Sequence, residues 1–225
     1  MKITPLGDSA ILVELGDDAA AVRNLSAALA KGKVSGVLDI VPAYTTVAVF
    51  YDPVVFARGG TTKPYESICA WVEEIGKTVT QVKPLPGSER VVPVCYGGEF
   101  GPDLETMAAD KGLLAEEIVR LHSQVIYEVR AIGFSPGFPY LSGLPERLHM
   151  PRKGSPRTAV PAGSVGIGGS QTGIYTLVTP GGWHLVGRTP LRLFRPESEE
   201  PAWLKAGDTV RIEPITAEQF KNWSE

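Results

Sequence analysis

Along the first ninety residues the apolar positions alternate between strand-like and helix-like spacing. "KITPL" and "AILVEL" predict short strands joined at Gly7-Asp8, a turn pair. "DDAAAVRNLSAALAKG" spaces Val22, Leu25 and Leu29 as one face of a helix, with Asp17 as its N-cap and Gly32 as its stop. "VLDIV" and "TVAVFYD" predict two further strands. "KPYESICAWVEEIGK" predicts a second amphipathic helix: Pro64 suits its first turn, Ile68, Trp71, Val72 and Ile75 form its apolar stripe, and Gly76 ends it. The result is a small α/β unit with two helices on one face of a sheet. "VKPLPGSER" then sets Pro84, Pro86 and Gly87 between apolar segments, which predicts a boundary between residues 1–85 and 86–225. Limited proteolysis is expected to cut near Lys83 or Arg90 before it cuts either domain.

In the second half the periodicity shortens. "RVVPVCYGG" predicts a strand in which Pro93 signals an edge or a bulge. "GPDLETMAADKGLLAEEIVRLHSQ" predicts two short helices broken at Lys111-Gly112. From "VIYEVRAIG" onward, "AVPAGSVGIGG", "TGIYTLVTPGG", "HLVGRTPLRLF" and "DTVRIEPI" are short strands separated by Gly and Pro, as in a β-barrel or a sandwich. "TAEQF" offers Thr216 and Gln219 as the capping box of a terminal helix. The fold class predicted by the whole pattern is α+β.

Composition narrows the function. With 225 residues, 43% hydrophobic and 21% charged, the chain reads as a soluble globular protein, and a net charge of -3 gives no footprint for nucleic acid. The paired helices around Gly112 carry Glu105, Asp110, Glu116 and Glu117, which would repel phosphates. No apolar run approaches membrane-spanning length, and Glu14 interrupts the only N-terminal candidate for a leader, so a cytoplasmic location without membrane attachment is expected. Cys69 and Cys95 read as reduced core residues. The scattered His122, His149 and His184 lack companions at metal-site spacing, so no metal site is expected.

One region departs from this average. Residues 133–190 hold 12 of the 25 glycines and 8 of the 19 prolines, and set Arg147, Arg152, Lys153, Arg157 and Arg188 against the single acid Glu146. A local balance of +4 in a chain of -3 points to an anionic ligand or an acidic partner surface. "GFSPG" matches the nucleophile-elbow pattern, but Pro136 has no N–H for an oxyanion hole and no helical pattern follows, so Ser135 is not read as a nucleophile. "GGSQTG" has Ile174 where a P-loop needs lysine, and a strand follows it.

"VCYGGEFGPDLE", "GFSPGFPYLSGLP", "PRKGSPRTAVPAGSVGIGGSQTGIY" and "TPGGWHLVGRTPLRLF", together with "GDSAILVELG" and "PAYTTVAVFYDP", closely resemble the B component of 5-oxoprolinase, the KipI-like family also known as allophanate hydrolase subunit 1. The resemblance implies a small N-terminal α/β domain followed by a C-terminal cyclophilin-like β-barrel. It further implies one component of an ATP-dependent enzyme that opens 5-oxo-L-proline to L-glutamate with subunits A and C, and a chain inactive alone. Two other roles occur in the family: inhibition of a sporulation histidine kinase, and a carboxyltransferase part of urea carboxylase. The chain has no biotinylation-type motif. For lactam opening, ATP would be bound by or shared with the partners. Arg152, Arg157 and Arg188 with the N–H groups of Gly166, Gly168 and Gly169 are the expected donors to phosphate or carboxylate. Gln171 and His184 are the catalytic candidates, and Ser135, Phe138 and Tyr140 the expected pocket walls.

Overall fold

The computed structural model describes residues 1–32, 34–60, 63–79 and 87–224. It divides into two compact units, Met1–Pro86 and Gly87–Glu225. Residues 82–86 of the expected boundary stretch lie outside the described residues.

In the first unit, β1 (Lys2–Pro5), β2 (Ala10–Glu14), β3 (Val37–Ala43) and β4 (Thr46–Tyr51) pair antiparallel in the order β1-β2-β4-β3. Helices α1 (Ala19–Gly32) and α3 (Pro64–Val79) bury Val22, Leu25, Leu29, Ile68 and Val72 in one core with Ile11, Val13, Val47 and Val49. Two local expectations need correction, and one helix was not expected. The α1 cap is Asp18, whose carboxylate accepts the Ala21 N–H at 3.0 Å, instead of Asp17. Helix α3 passes through Gly76 to Val79. A short helix, α2 (Pro53–Arg58), also forms, although its signals were present: Asp52 accepts the N–H groups of Val54 and Val55, and Pro53 sits at the first turn, where a missing N–H costs nothing.

The second unit is a closed barrel of seven strands. These are β5 (Glu89–Tyr96), β6 (Ile126–Ile132), β7 (Pro139–Ser142), β9 (Ser164–Gly168), β10 (Gln171–Ile174), β12 (His184–Arg188) and β13 (Thr209–Ile215). Their order is β6-β13-β5-β12-β9-β10-β7, closed by β7 on β6. A separate ribbon, β8 (Arg157–Val160) with β11 (Thr179–Gly181), completes the strands. The core holds Val92, Val94, Tyr127, Val129, Val165, Ile167, Val186, Val210 and Ile212, joined by Leu104, Met107, Ile118 and Leu121 of α4 (Leu104–Lys111) and α5 (Ala115–Ser123). Gly112 ends α4 in a left-handed conformation, φ 62°, which separates the helices where the Lys111-Gly112 break predicts. Pro93 lies in an interior strand, contrary to the edge reading. Strand β12 reaches only Cys95 and Tyr96 of β5, so the edge of Pro93 on that side is unpaired and its missing N–H leaves no gap in that ladder. Arg90 also belongs to β5, its guanidinium 5.1 Å from the Trp203 ring centre, so cleavage at Arg90 is not expected. Helix α6 (Ala217–Lys221) starts at the Thr216–Gln219 capping box.

Inside the barrel, His122 is fully buried and fully partnered. Thr172 Oγ donates to the Gly166 carbonyl at 2.9 Å, and so accepts the His122 Nε2–H at 2.9 Å. His122 Nδ1 then carries a lone pair and accepts the Tyr96 hydroxyl at 2.6 Å. Burial pushes the His122 pKa down to about 3, so the ring is a neutral crosslink between α5 and two strands.

Candidate functional site

The glycines of 133–190 seat aromatic rings. A Cβ on Gly168 would lie 2.7 Å from the Trp183 indole, one on Gly173 2.8 Å from Phe138, and one on Gly181 2.3 Å from the Tyr175 hydroxyl. These absences of side chain let Phe138 stand edge-on to Phe134, Tyr140, Tyr175 and Trp183, with ring centres 4.9–5.6 Å apart. Phe138, Val160, Tyr175, Trp183 and Leu185 form their own buried cluster. It lies across the barrel wall from the core, since Leu185 pairs with Gly166 while its strand neighbour Val186 packs inside with Val165 and Ile167.

Over this cluster opens a pocket of about 160 Å³, lined by Phe134, Phe138, Tyr140, Tyr175 and Trp183, by Arg152, Lys153 and Pro156, and by Gly181 and Gly182. Burial raises the Tyr175 phenol pKa, opposed by the Trp183 backbone N–H bonded to it and by the charge of Arg152; Tyr140 raises it further and Arg157 opposes. The hydroxyl therefore keeps its proton at neutral pH, on a ring that is itself buried, 2% exposed.

A buried carboxylate missed by the sequence reading organises the cations. Asp103, 4% exposed, precedes α4 but does not cap it. Its Oδ1 accepts Lys153 Nζ at 2.8 Å and Arg157 Nη2 at 2.7 Å, and its Oδ2 accepts the Leu185 N–H at 2.7 Å. Burial pushes this carboxyl up, but the bonds from Arg157, Lys153 and Leu185 and the charge of Arg157 outweigh it and hold the pKa at about 2.

The expected site residues therefore separate. Arg157 is a brace on Asp103, with one nitrogen, Nη1, buried and unpartnered. Arg188 bonds the Ala162 carbonyl through Nε at 2.8 Å and lines a different depression with Thr176 and Trp223. Arg147 pairs with Glu117 at 2.9 Å. Arg152 is exposed, lies 5.9 Å from the Trp183 ring centre, and is the one cation of the five without a hydrogen-bond or carboxylate partner among the described residues.

The anion cradle expected at 166–169 is not formed. Gly166 is paired on both edges, to Gly173 and Leu185, and the Gly169 N–H donates to the Met150 carbonyl at 2.6 Å. His184 pairs with core residue Ile167, so it faces the barrel interior, away from its neighbours Trp183 and Leu185. Its Nε2 donates to the Pro151 carbonyl at 2.9 Å, which leaves a buried Nδ1 without a donor. Gln171 opens β10 opposite Gly168. Neither residue lines the aromatic pocket. Phe138 and Tyr140 are pocket walls. Ser135 is not, although its loop carries Phe134. Ser135 begins a type II turn, with Pro136 and Gly137 (φ 74°) at its centre and the Phe138 N–H bonded to the Ser135 carbonyl at 3.0 Å. "GFSPGF" is thus a hairpin end between β6 and β7, and no nucleophile-bearing helix follows it. Ser135→Ala is expected to leave the melting temperature within about 2 °C, because the Ser135 side chain makes no hydrogen bond in the turn.

A larger groove of about 800 Å³ lies along α1 and α3, lined by Leu15, Ala20, Ala21, Leu25 and Val79 and edged by Asp18, Asn24, Glu73 and Lys77. It has no aromatic wall or hydroxyl and one cation against two acids, so the smaller pocket is the better site for a small anionic ring. No group of three or more His, Cys, Asp or Glu among the described residues is placed to hold a metal ion, and none of their helices is long and apolar enough to cross a membrane.

Comparison with known proteins agrees with this architecture. The chain is 40% identical over its whole length to the B component of 5-oxoprolinase from Bacillus subtilis, covering 97% of that protein. It is 58% identical over 123 residues, 55% of this chain and 56% of the relative, to the same component from Escherichia coli O157:H7. The solved structure of TTHA0988 superposes with a TM-score of 0.77 at 33% identity over 92% of this chain, which spans only 40% of that longer one. Residues 1–204 match the family model of the carboxyltransferase domain, subdomain C and D, and the chain belongs to that family.

Proposed function

We propose that this chain is the B component of an ATP-dependent 5-oxoprolinase and that its aromatic pocket binds the lactam. The observation that carries the reading is Arg152, an unpaired guanidinium beside Trp183 at a pocket walled by five aromatic rings. 5-Oxo-L-proline is a flat five-membered ring bearing one carboxylate. Aromatic walls suit the ring, while Arg152, with Lys153 beside it, suits the anion. The Tyr175 hydroxyl is the donor for the ring carbonyl, and its raised pKa preserves that role at neutral pH. The relatives are named as one component of an enzyme, which supports the presence of partners, and we assign those roles to subunits A and C.

A nucleotide does not fit the same pocket: about 160 Å³ suits a small ring, while drug-sized and larger ligands take roughly 300–1,000 Å³. The Gly169 N–H is committed to Met150, so the "GGSQTG" hairpin offers no phosphate cradle. No ATP step is therefore assigned to this chain. His184 and Gln171 act, in this reading, by shaping the barrel end behind the pocket.

Reconstitution with subunits A and C tests the proposal. The chain alone is expected to show no 5-oxoproline-dependent ATP hydrolysis, and the complex to show it. Arg152→Ala should raise KM for 5-oxo-L-proline roughly 10- to 100-fold, the loss of a charge-assisted hydrogen bond. Its melting temperature should fall by no more than about 4 °C, because Arg152 is exposed and loses only its approach to the Trp183 ring, worth about 0.5–1 kcal/mol. An unchanged KM removes the pocket from the mechanism, and full activity of the isolated chain removes the assembly.

A further inference from the structure

Phe134 is one of two non-glycine residues with positive φ among the described residues, at 67°. The Ser135 N–H donates to the Gly133 carbonyl at 2.8 Å, closing a three-residue γ-turn around it, in the rare and strained form that a positive φ defines. A glycine would adopt this backbone without strain, and the chain has one immediately before it, Gly133, whose φ is not positive. The reversal of direction does not require the strain either. The type II turn at Pro136-Gly137 supplies it, and Thr176 Oγ fastens that turn by donating to the Pro136 carbonyl at 2.7 Å.

The strained backbone sets the Phe134 ring at the pocket, edge-on to Phe138 at 5.4 Å and Tyr175 at 6.2 Å. Yet the residue stays 61% exposed, so burial within this chain does not offset the conformational cost. Within this chain the strain is met only by those two edge-on contacts at a largely exposed ring, and strain kept at a pocket in this way points from the outlier to a function. We infer that Phe134 is a substrate-binding and specificity-determining residue, whose ring covers the apolar face of a bound five-membered lactam and disfavours the opened product. L-glutamate carries an ammonium group and a second carboxylate where the lactam presents a compact ring, and an apolar wall cannot solvate them. Selectivity for ring over open chain thus resides at Phe134, while Arg152 binds the carboxylate common to both. This inference rests on the lactam-pocket reading.

The test uses the reconstituted complex with Phe134→Ala, Phe134→Gly and Phe134→Tyr, and Arg152→Ala in parallel. Ala and Gly should each raise the lactam KM roughly tenfold while inhibition by L-glutamate changes less than twofold; Tyr should retain the unmodified values. Because both small residues lack the ring, their difference isolates the backbone: Gly should melt about 2–4 °C above Ala, the reverse of their order at an unstrained position. A Phe134→Ala complex with unchanged KM, beside an Arg152→Ala complex with raised KM, overturns the role of Phe134 and leaves the pocket standing. Unchanged KM in both overturns the two together. A proportional loss of lactam and glutamate binding overturns the selectivity, and Gly melting below Ala overturns the strain.

Discussion

Asp103→Ala is expected to destabilise the barrel unit by about 2–4 kcal/mol, lowering its melting temperature by roughly 4–16 °C, because it removes a buried anion and leaves two part-buried cations and the Leu185 N–H without it. Asp103 is bound to β12 twice, its own N–H donating to the Leu185 carbonyl at 3.0 Å and its Oδ2 accepting the Leu185 N–H. Its other oxygen holds Lys153 and Arg157. Without it, Arg157, already lacking a partner at Nη1, has no counter-charge, and Lys153 is released at the pocket. The pH dependence has a definite sign. A carboxyl lowered from 3.8 to about 2 stabilises the fold fully above pH 3.8, and the contribution is lost as pH falls through 2. Urea unfolding followed by tryptophan fluorescence at pH 7 measures the effect; a loss below about 1 kcal/mol contradicts the ionic account.

The second large effect is acid sensitivity at His122. Its pKa in the fold, about 3, lies below the ordinary 6.5 because burial disfavours the charged ring. Protonation at Nδ1 would also turn an acceptor of the Tyr96 hydroxyl into a second donor. The unfolded chain takes up this proton between pH 6.5 and 3 while the native chain does not, so stability is full above pH 6.5 and falls steadily to pH 3. The total is on the order of several kcal/mol, at ~1.4 kcal/mol for each pH unit of the window. This window lies above that of Asp103, so the two are separable. His122→Gln should start from a lower stability at pH 7, having broken the bonds to Tyr96 and Thr172, but should lose about one proton of pH dependence between pH 6 and 4. A variant as acid-sensitive as the unmodified protein contradicts the assignment.

The elements were legible where local chemistry decides them. The break at Gly112, the Thr216–Gln219 capping box and most strands after residue 126 follow from residues adjacent in the chain, but β7, which closes the barrel, was not read as a strand. The site was legible only in part. The charge imbalance drew attention to residues 133–190, and Phe138 and Tyr140 were expected as walls, but Arg152, Arg157 and Arg188 were expected to act alike and Lys153 was not singled out. The distinction among them depends on Asp103, which lies 50 residues from Lys153, 54 from Arg157 and 82 from Leu185. At the start of a helix such an aspartate reads as an N-cap, and nothing nearby in sequence indicates that its side chain turns toward the barrel wall. The glycines misled for a related reason. A residue without a side chain admits either an anion to the backbone or a ring across it, and only the strand register shows that Gly168 and Gly181 do the latter. Tyr175 and Trp183 carried no chemical signal until those rings were packed.

The most direct measurement is a crystal structure of the assembled complex with 5-oxo-L-proline bound. The lactam ring is expected against Tyr175 and Trp183 beneath Phe134, with its carboxylate on Arg152 and its carbonyl oxygen within hydrogen-bonding distance of the Tyr175 hydroxyl. An ordered lactam bound elsewhere, with this pocket empty, contradicts the account.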